Sequence, residues 1–301
     1  MPNYYYHQPR PSYKPPYRRF SGLRRGLSFL VVLAVFFFGY HLIRGLTIHQ
    51  HVLGANKVSA SAPPVLSFNQ NAQMASQINS VIQAHPDMDI GVAIEDLNND
   101  HIYTYGLTDP FIAASVGKLI TATLFLHEVE AGQQPMNQQL SYGTAAYELQ
   151  QMIEQSDNTA WNDLNTLLTH TVLLNYASQI GMSNYDPDQN TLTAKDIVTL
   201  LGKLYKGELL NSAHTNLLLS YMHDANFDTY IPASIPTGVK VYHKAGWLDD
   251  RVHDSAIIDN GKHPYVLVIF TKMDDGSSYD ANEGHQVFAG ITTATVNAFI
   301  K

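Results

Sequence analysis

Val116 to Ala131 reads as a helix ended by Gly132, and its middle is nearly all apolar. A helix with no polar face cannot lie on a surface, so this segment is expected to run through the middle of a core, wrapped by other elements. At its head stands Ser115-Val116-Gly117-Lys118. Serine and lysine three residues apart fall on one helix face, about one turn apart. The expected central helix therefore begins with a candidate nucleophile beside a candidate base.

The flanking pattern supplies the elements that would surround it. Asn71 to Ala84 carries Met74, Ile78, Val81 and Ile82 at helical spacing. Asp89 to Leu97 reads as a strand, Asn98-Asn99-Asp100 as a turn, and His101 to Tyr105 as the antiparallel partner. Helices are expected over 144–155 and 159–168, with Ser156-Asp157-Asn158 at the break between them. Another is expected over 193–206, capped by Thr193 and supported in its first turn by Asp196. Strands follow over 238–244, 254–258 and 265–272, with Asn260-Gly261 turning the second into the third. A last helix covers 284–300. This order predicts an α+β fold: an antiparallel β-sheet flanked by helices, with an all-helical subdomain inserted between its strands.

The first 67 residues do not read as part of that core. Residues 1–26 are rich in Tyr, Pro and Arg and contain no acidic residue. Leu27 to Ile43 is a nearly unbroken apolar run, and a bilayer core of ~30 Å needs about 20 such residues. Arg10, Lys14, Arg18, Arg19, Arg24 and Arg25 precede the run, while only Arg44 and Lys57 follow it closely. By the positive-inside rule the amino terminus stays cytoplasmic and the rest is exported. The expected organisation is a cytoplasmic basic tail (1–26), a transmembrane anchor (27–46), a linker (47–67) and a catalytic domain (68–301). A cleaved signal peptide is the competing reading, with Ala60-Ser61-Ala62 as its small-residue site.

From Ser67 onward the chain has 10 lysines and arginines against 26 acidic residues, a net charge of −16. That balance argues against nucleic acid as a partner. The chain has no cysteine, which excludes disulfides and thiolate metal sites. Its 14 histidines show no His-Glu-x-x-His or comparable pair. Neither a metal nor a cofactor is expected, and the domain is expected to be a monomer.

Serine is a poor nucleophile without a base. Lys118 can serve as that base if burial, or a second cation such as Lys244, lowers its pKa. Ser156 would carry a proton to the leaving nitrogen, Asn158 would hold a substrate amide, and Lys244 would bind a substrate carboxylate. The backbone N–H groups of Ser115 and Trp247 would form an oxyanion hole.

Ser115-x-x-Lys118, Ser156-Asp157-Asn158 and Lys244-Ala245-Gly246 occur in the order found in serine enzymes acylated by β-lactams. Residues 68–301 resemble the class A β-lactamase family of penicillin-recognising serine enzymes. His253-Asp254-Ser255-Ala256-Ile257-Ile258 on the following strand belongs to the same likeness. The resemblance implies Ser115 as acylated nucleophile, Lys118 as its base, Ser156 as proton shuttle, Asn158 as amide contact and Lys244 as carboxylate anchor. Two departures stand out. Ala245 replaces the usual Thr or Ser of the third motif and deletes a hydroxyl contact of roughly 1.5–3 kcal/mol. Asp186-Pro187-Asp188-Gln189-Asn190 stands in the region of the family's Glu-Pro-x-x-Asn loop. Asp186 is either a base one methylene short, with Asn190 holding the hydrolytic water, or part of a surface turn. The expected activity is a serine hydrolase acting on β-lactams. A peptidoglycan D,D-carboxypeptidase cleaving a D-Ala-D-Ala peptide, and a non-catalytic wall-binding domain, are the alternatives.

Overall fold

The computed structural model describes residues 63–301. The expected basic tail and anchor, and the linker up to residue 62, lie outside the described residues. Among the described residues no helix is long and apolar enough to cross a membrane.

The first helix, α1 (Phe68–Ala84), starts at a capping box in which the Ser67 and Gln70 side chains each satisfy the other's backbone N–H. The strands β1 (Met88–Asp96) and β2 (His101–Gly106) then form a hairpin. A two-residue strand, β3 (Phe111–Ile112), leads into a 3-10 turn at Ala114–Gly117 and then α2 (Lys118–Glu130). As its sequence demands, α2 is buried on nearly every side, from Leu119 to Leu126.

The helical block continues with α3 (Ala145–Glu154), α4 (Asn158–Leu168) and α5 (His170–Ile180). A short strand β4 (Thr191–Leu192) pairs with β3, and α6 (Ala194–Tyr205) and α7 (Ser212–His223) follow. At α6 the expected Thr193 cap is joined by the Asp196 side chain in a second capping box. The chain closes with β5 (Lys240–Leu248), β6 (Arg251–Asp259), β7 (Tyr265–Met273) and α8 (Ala281–Phe299).

The five long strands make one antiparallel sheet in the order β2-β1-β7-β6-β5. One face packs under α1 and α8 through Ile90, Val92, Leu267, Ile269, Phe288 and Ile291. The other face packs against the helical block through Ala93, Ile257, Val266, Val268 and Phe270. The helical subdomain is thus an insertion between β2 and β5, and β5 is an edge strand of the sheet, lying beside the 3-10 turn and α7.

Several expectations need correction. Helices α5 and α7 have no counterpart in the sequence reading. β5 runs to Leu248, so Lys244-Ala245-Gly246 lies inside the strand and not at its end. β6 starts at Arg251, three residues before the expected strand. Ser115 sits on the 3-10 turn that precedes α2, not on the α-helix itself.

Candidate active site

In a 3-10 turn, residues three apart eclipse one another. This stacks Lys118 on Ser115, and Lys118 Nζ donates to Ser115 Oγ at 3.1 Å. The same ammonium donates to the backbone oxygen of Ser156 at 2.6 Å and to Asn158 Oδ1 at 2.7 Å, with Ser156 Oγ at 3.4 Å. Ser156 adopts φ +58. That left-handed conformation is costly for a residue with a side chain and persists only where surroundings enforce it. Here it lets the carbonyl and the hydroxyl of one residue face the same ammonium.

Lys244 reaches the group from the sheet side. Its Nζ donates to Ser156 Oγ at 2.9 Å and to the Ala245 carbonyl at 3.0 Å. Both lysines are fully buried. Burial lowers the Lys118 pKa to about 8, with the Asp157 carboxylate opposing the shift. Burial, and next the charge of Lys118, bring Lys244 down to about 7, against a pull from Asp254. Two ammonium groups sharing Ser156 in a desolvated site disfavour each other's protonation.

Gly246 brings the strand onto the turn. A Cβ at this position would lie 2.5 Å from the Ser115 nitrogen and 2.9 Å from the Val116 nitrogen, so only glycine permits the approach. The neighbouring Trp247 follows along the edge strand with its side chain exposed. Ala245 is fully buried and offers no hydroxyl. His253, opposite Gly246 in the register, donates from Nε2 to the Ile112 carbonyl at 2.9 Å and ties β6 to the strand before the turn. Complete burial lowers its pKa to about 4, which keeps the ring neutral.

Asn190 and Asp186 part company. Asn190 Nδ2 donates to the Ala114 carbonyl at 3.0 Å, next to Ser115. Its Oδ1 is buried with no protein partner and faces Gly117, where a Cβ would collide with it. Asp186 is exposed. Its Oδ1 accepts the Asp188 N–H at 2.8 Å and the Gln189 N–H at 3.2 Å, the pattern of an Asx turn.

Other side chains support or flank the group. Asp157 caps α4 by accepting the Ala160 N–H at 2.9 Å. That bond, with the Tyr142 hydroxyl, holds its carboxyl below the usual range. Trp161 donates from Nε1 to Thr121 Oγ1 at 3.0 Å, and its ring lies 5.3 Å from Lys118 Nζ. Arg251 is committed to Asp250 through a two-pronged ion pair. His243 is packed in the strand between Asp254 and Asp228, 3.1 Å from each. A separate cavity of about 300 Å³ opens between β2 and the start of α6, lined by Thr104, Asn184 and Lys195. None of the three motifs lines it, so the buried lysine pair, and not this cavity, marks the candidate chemistry.

The comparisons with known proteins concern the fold and the family. No curated protein sequence matches the chain. Among solved structures, PBP-A is similar at 22% identity and a TM-score of 0.70, covering 79% of this chain and 98% of that one. An acyl-enzyme complex of a PBP-A variant with penicillin G matches at 22% identity and 0.69, over 76% and 96%. An ancestral class A β-lactamase matches at 22% and 0.69, over 75% and 100%. A β-lactamase from Xanthomonas campestris matches at 20% and 0.70, over 77% and 99%. At these identities the likeness is one of fold. The model of the beta-lactamase enzyme family matches residues 73–299, and with that span, covering the sheet and the helical block alike, the chain belongs to the beta-lactamase enzyme family.

Proposed function

We propose that the protein is an extracytoplasmic serine hydrolase, anchored in the membrane by residues 27–46, that reacts with β-lactams through an acyl-Ser115 intermediate. The observation that carries this reading is the placement of Lys118 Nζ, within hydrogen-bond reach of Ser115 Oγ, Ser156 and Asn158 at once. With Lys118 neutral, its lone pair takes the Ser115 proton as Oγ attacks the lactam carbonyl carbon. The N–H groups of Ser115 and Trp247 stabilise the developing oxyanion. The carbon–nitrogen bond then breaks, and the departing nitrogen takes a proton from Ser156 Oγ, which Lys118 or Lys244 restores. Asn158 and Asn190 hold the substrate amide and a water, and Lys244 faces the substrate carboxylate.

A second reading, a penicillin-binding D,D-peptidase with a long-lived acyl-enzyme, is favoured by the engagement of Asp186 in its own turn. Benzylpenicillin tests both. Intact-mass analysis is expected to show a single adduct that disappears in Ser115→Ala. Rapid decay of the adduct supports a β-lactamase, and persistence supports a penicillin-binding peptidase. No adduct at any concentration would leave a wall-binding domain without catalysis.

A further inference from the structure

The two edges of the sheet differ. β5 lies beside the 3-10 turn and α7, whereas β2 is paired with β1 alone, and among the described residues no strand runs along its outer side. The Leu107 N–H donates to the Ile90 carbonyl at 2.7 Å, and Gly106 stands opposite Gly91 in the register. Hydrogen-bonded and non-hydrogen-bonded pairs alternate in an antiparallel ladder. Tyr105 and Tyr103 therefore bond to β1, while Ile102 and Thr104 turn their N–H and C=O groups outward. Among the described residues these outward groups bond to no other element. Natural edges are usually blunted by lysine, proline or a bulge. His101-Ile102-Tyr103-Thr104-Tyr105-Gly106 contains neither lysine nor proline, and its central residues are strong strand formers.

Ile102 and Thr104 also line the cavity of about 300 Å³ at the start of α6, together with Leu107, Thr108, Asn184 and Lys195. Directly opposed residues of neighbouring strands put their side chains on one face. A strand added along β2 would thus hold the side chain opposite Thr104 over this cavity. Lys195 is the one charged residue of the lining and is exposed. The lysine and arginine ion pairs among the described residues engage Lys206, Arg251 and Lys272, not Lys195. The adjacent carboxylate, Asp196, is turned back onto the Thr193 N–H and hydroxyl. An unengaged ammonium beside threonine hydroxyls and an asparagine amide suits a carboxylate. A second copy of the domain is a poor occupant, since it brings another net charge of −16 and its own β2 carries no carboxylate.

We propose that β2 is a docking edge for an extended segment of a partner peptide, which adds a strand to the sheet and seats an aspartate or glutamate side chain against Lys195 in the adjoining cavity. Backbone bonds to Ile102 and Thr104 supply affinity, and the cavity supplies the side-chain preference. At physiological salt the charge of the rest of the domain is screened beyond about 8 Å, so Lys195 governs the sign of that preference. Ser115, Lys118, Ser156 and Lys244 do not line the cavity, and docking here is independent of acyl transfer.

Fluorescence anisotropy on the full chain tests this with fluorescein-labelled Thr-Val-Glu-Val-Thr amide and its glutamine and lysine counterparts. The glutamate probe is expected to bind about tenfold more tightly than the glutamine probe, the scale of one charge-assisted hydrogen bond. Lys195→Ala should remove that difference, and Lys195→Glu should reverse it in favour of the lysine probe. Thr104→Pro deletes an outward N–H at an edge position that makes no bond to β1, a place where proline is tolerated, and should abolish binding of every probe without lowering the Tm. The charge swap, carried by an exposed side chain, decides the matter even if the proline variant unfolds. Absence of binding by any probe at millimolar concentration, or equal binding of the glutamate and glutamine probes, would overturn the docking edge. A dimer seen in sedimentation and dissolved by Thr104→Pro would give the edge to a second copy and overturn the partner peptide.

Discussion

Lys118 and Lys244 are drawn together by Ser156 and depleted of water, and this sets the pH response. Their pKa values fall to about 8 and about 7, and because they interact, the titration belongs to the pair. A lysine base acts only when neutral. Below pH 7 both groups carry protons and acylation is suppressed; as pH rises through about 7 to 8 the neutral form accumulates and the rate levels off. The rate of adduct formation with benzylpenicillin, followed from pH 5 to 9.5, should trace that single rise. Lys118→Arg keeps the positive charge but cannot give up its proton, so it should reduce the rate by about 10²–10⁴, the usual worth of general-base catalysis, across the whole range. A profile falling with pH, or an active arginine variant, would take Lys118 out of the base role.

The segment between α5 and α6 divides its work between two residues four apart. Asn190 is tied to the turn that carries Ser115, while Asp186 folds its carboxylate onto its own backbone. An asparagine at 186 would keep the oxygen that accepts both turn N–H groups. Asp186→Asn should therefore leave acylation unaltered and change the rate of acyl release by less than about twofold; a loss of about a hundredfold or more, the scale of a missing general base, would restore Asp186 to catalysis. Comparing sequence with structure at this scale shows what pattern can carry. The sheet strands, α2 and the Thr193 cap were legible because alternation, continuous apolarity and capping chemistry are local signals. Helices α5 and α7 were not. His170 to Ile180 begins immediately after α4, at Thr169 with φ +66, with no glycine or proline to mark the break. In Ser212 to His223 the buried positions are Thr215, Leu218, Leu219 and Met222, and the exposed ones do not offset them strongly. The meeting of Lys244 with Ser156 was readable as motif order; the role of Gly246 as a point of contact emerges only when β5 lies against the turn.

For the whole molecule, charge is divided along the chain. Every acidic residue lies beyond residue 66, and six basic residues precede the apolar run. Lysine and arginine resist translocation while acidic residues have little influence on orientation, so the amino-terminal tail should stay inside and the acidic domain outside. This arrangement would hold Ser115 in the compartment where wall peptides and β-lactams are met. Tags at both ends of the full chain, expressed in bacteria and converted to spheroplasts, test it. Added protease should remove the carboxy-terminal tag and leave a small membrane-embedded fragment carrying the amino-terminal one, because the expected linker over 47–67 would join the anchor to the domain on the outer side. Cleavage after Ala62 would instead give a domain that leaves the membrane fraction without its amino-terminal tag. A protected carboxy-terminal tag would place the domain in the cytoplasm and refute the charge argument.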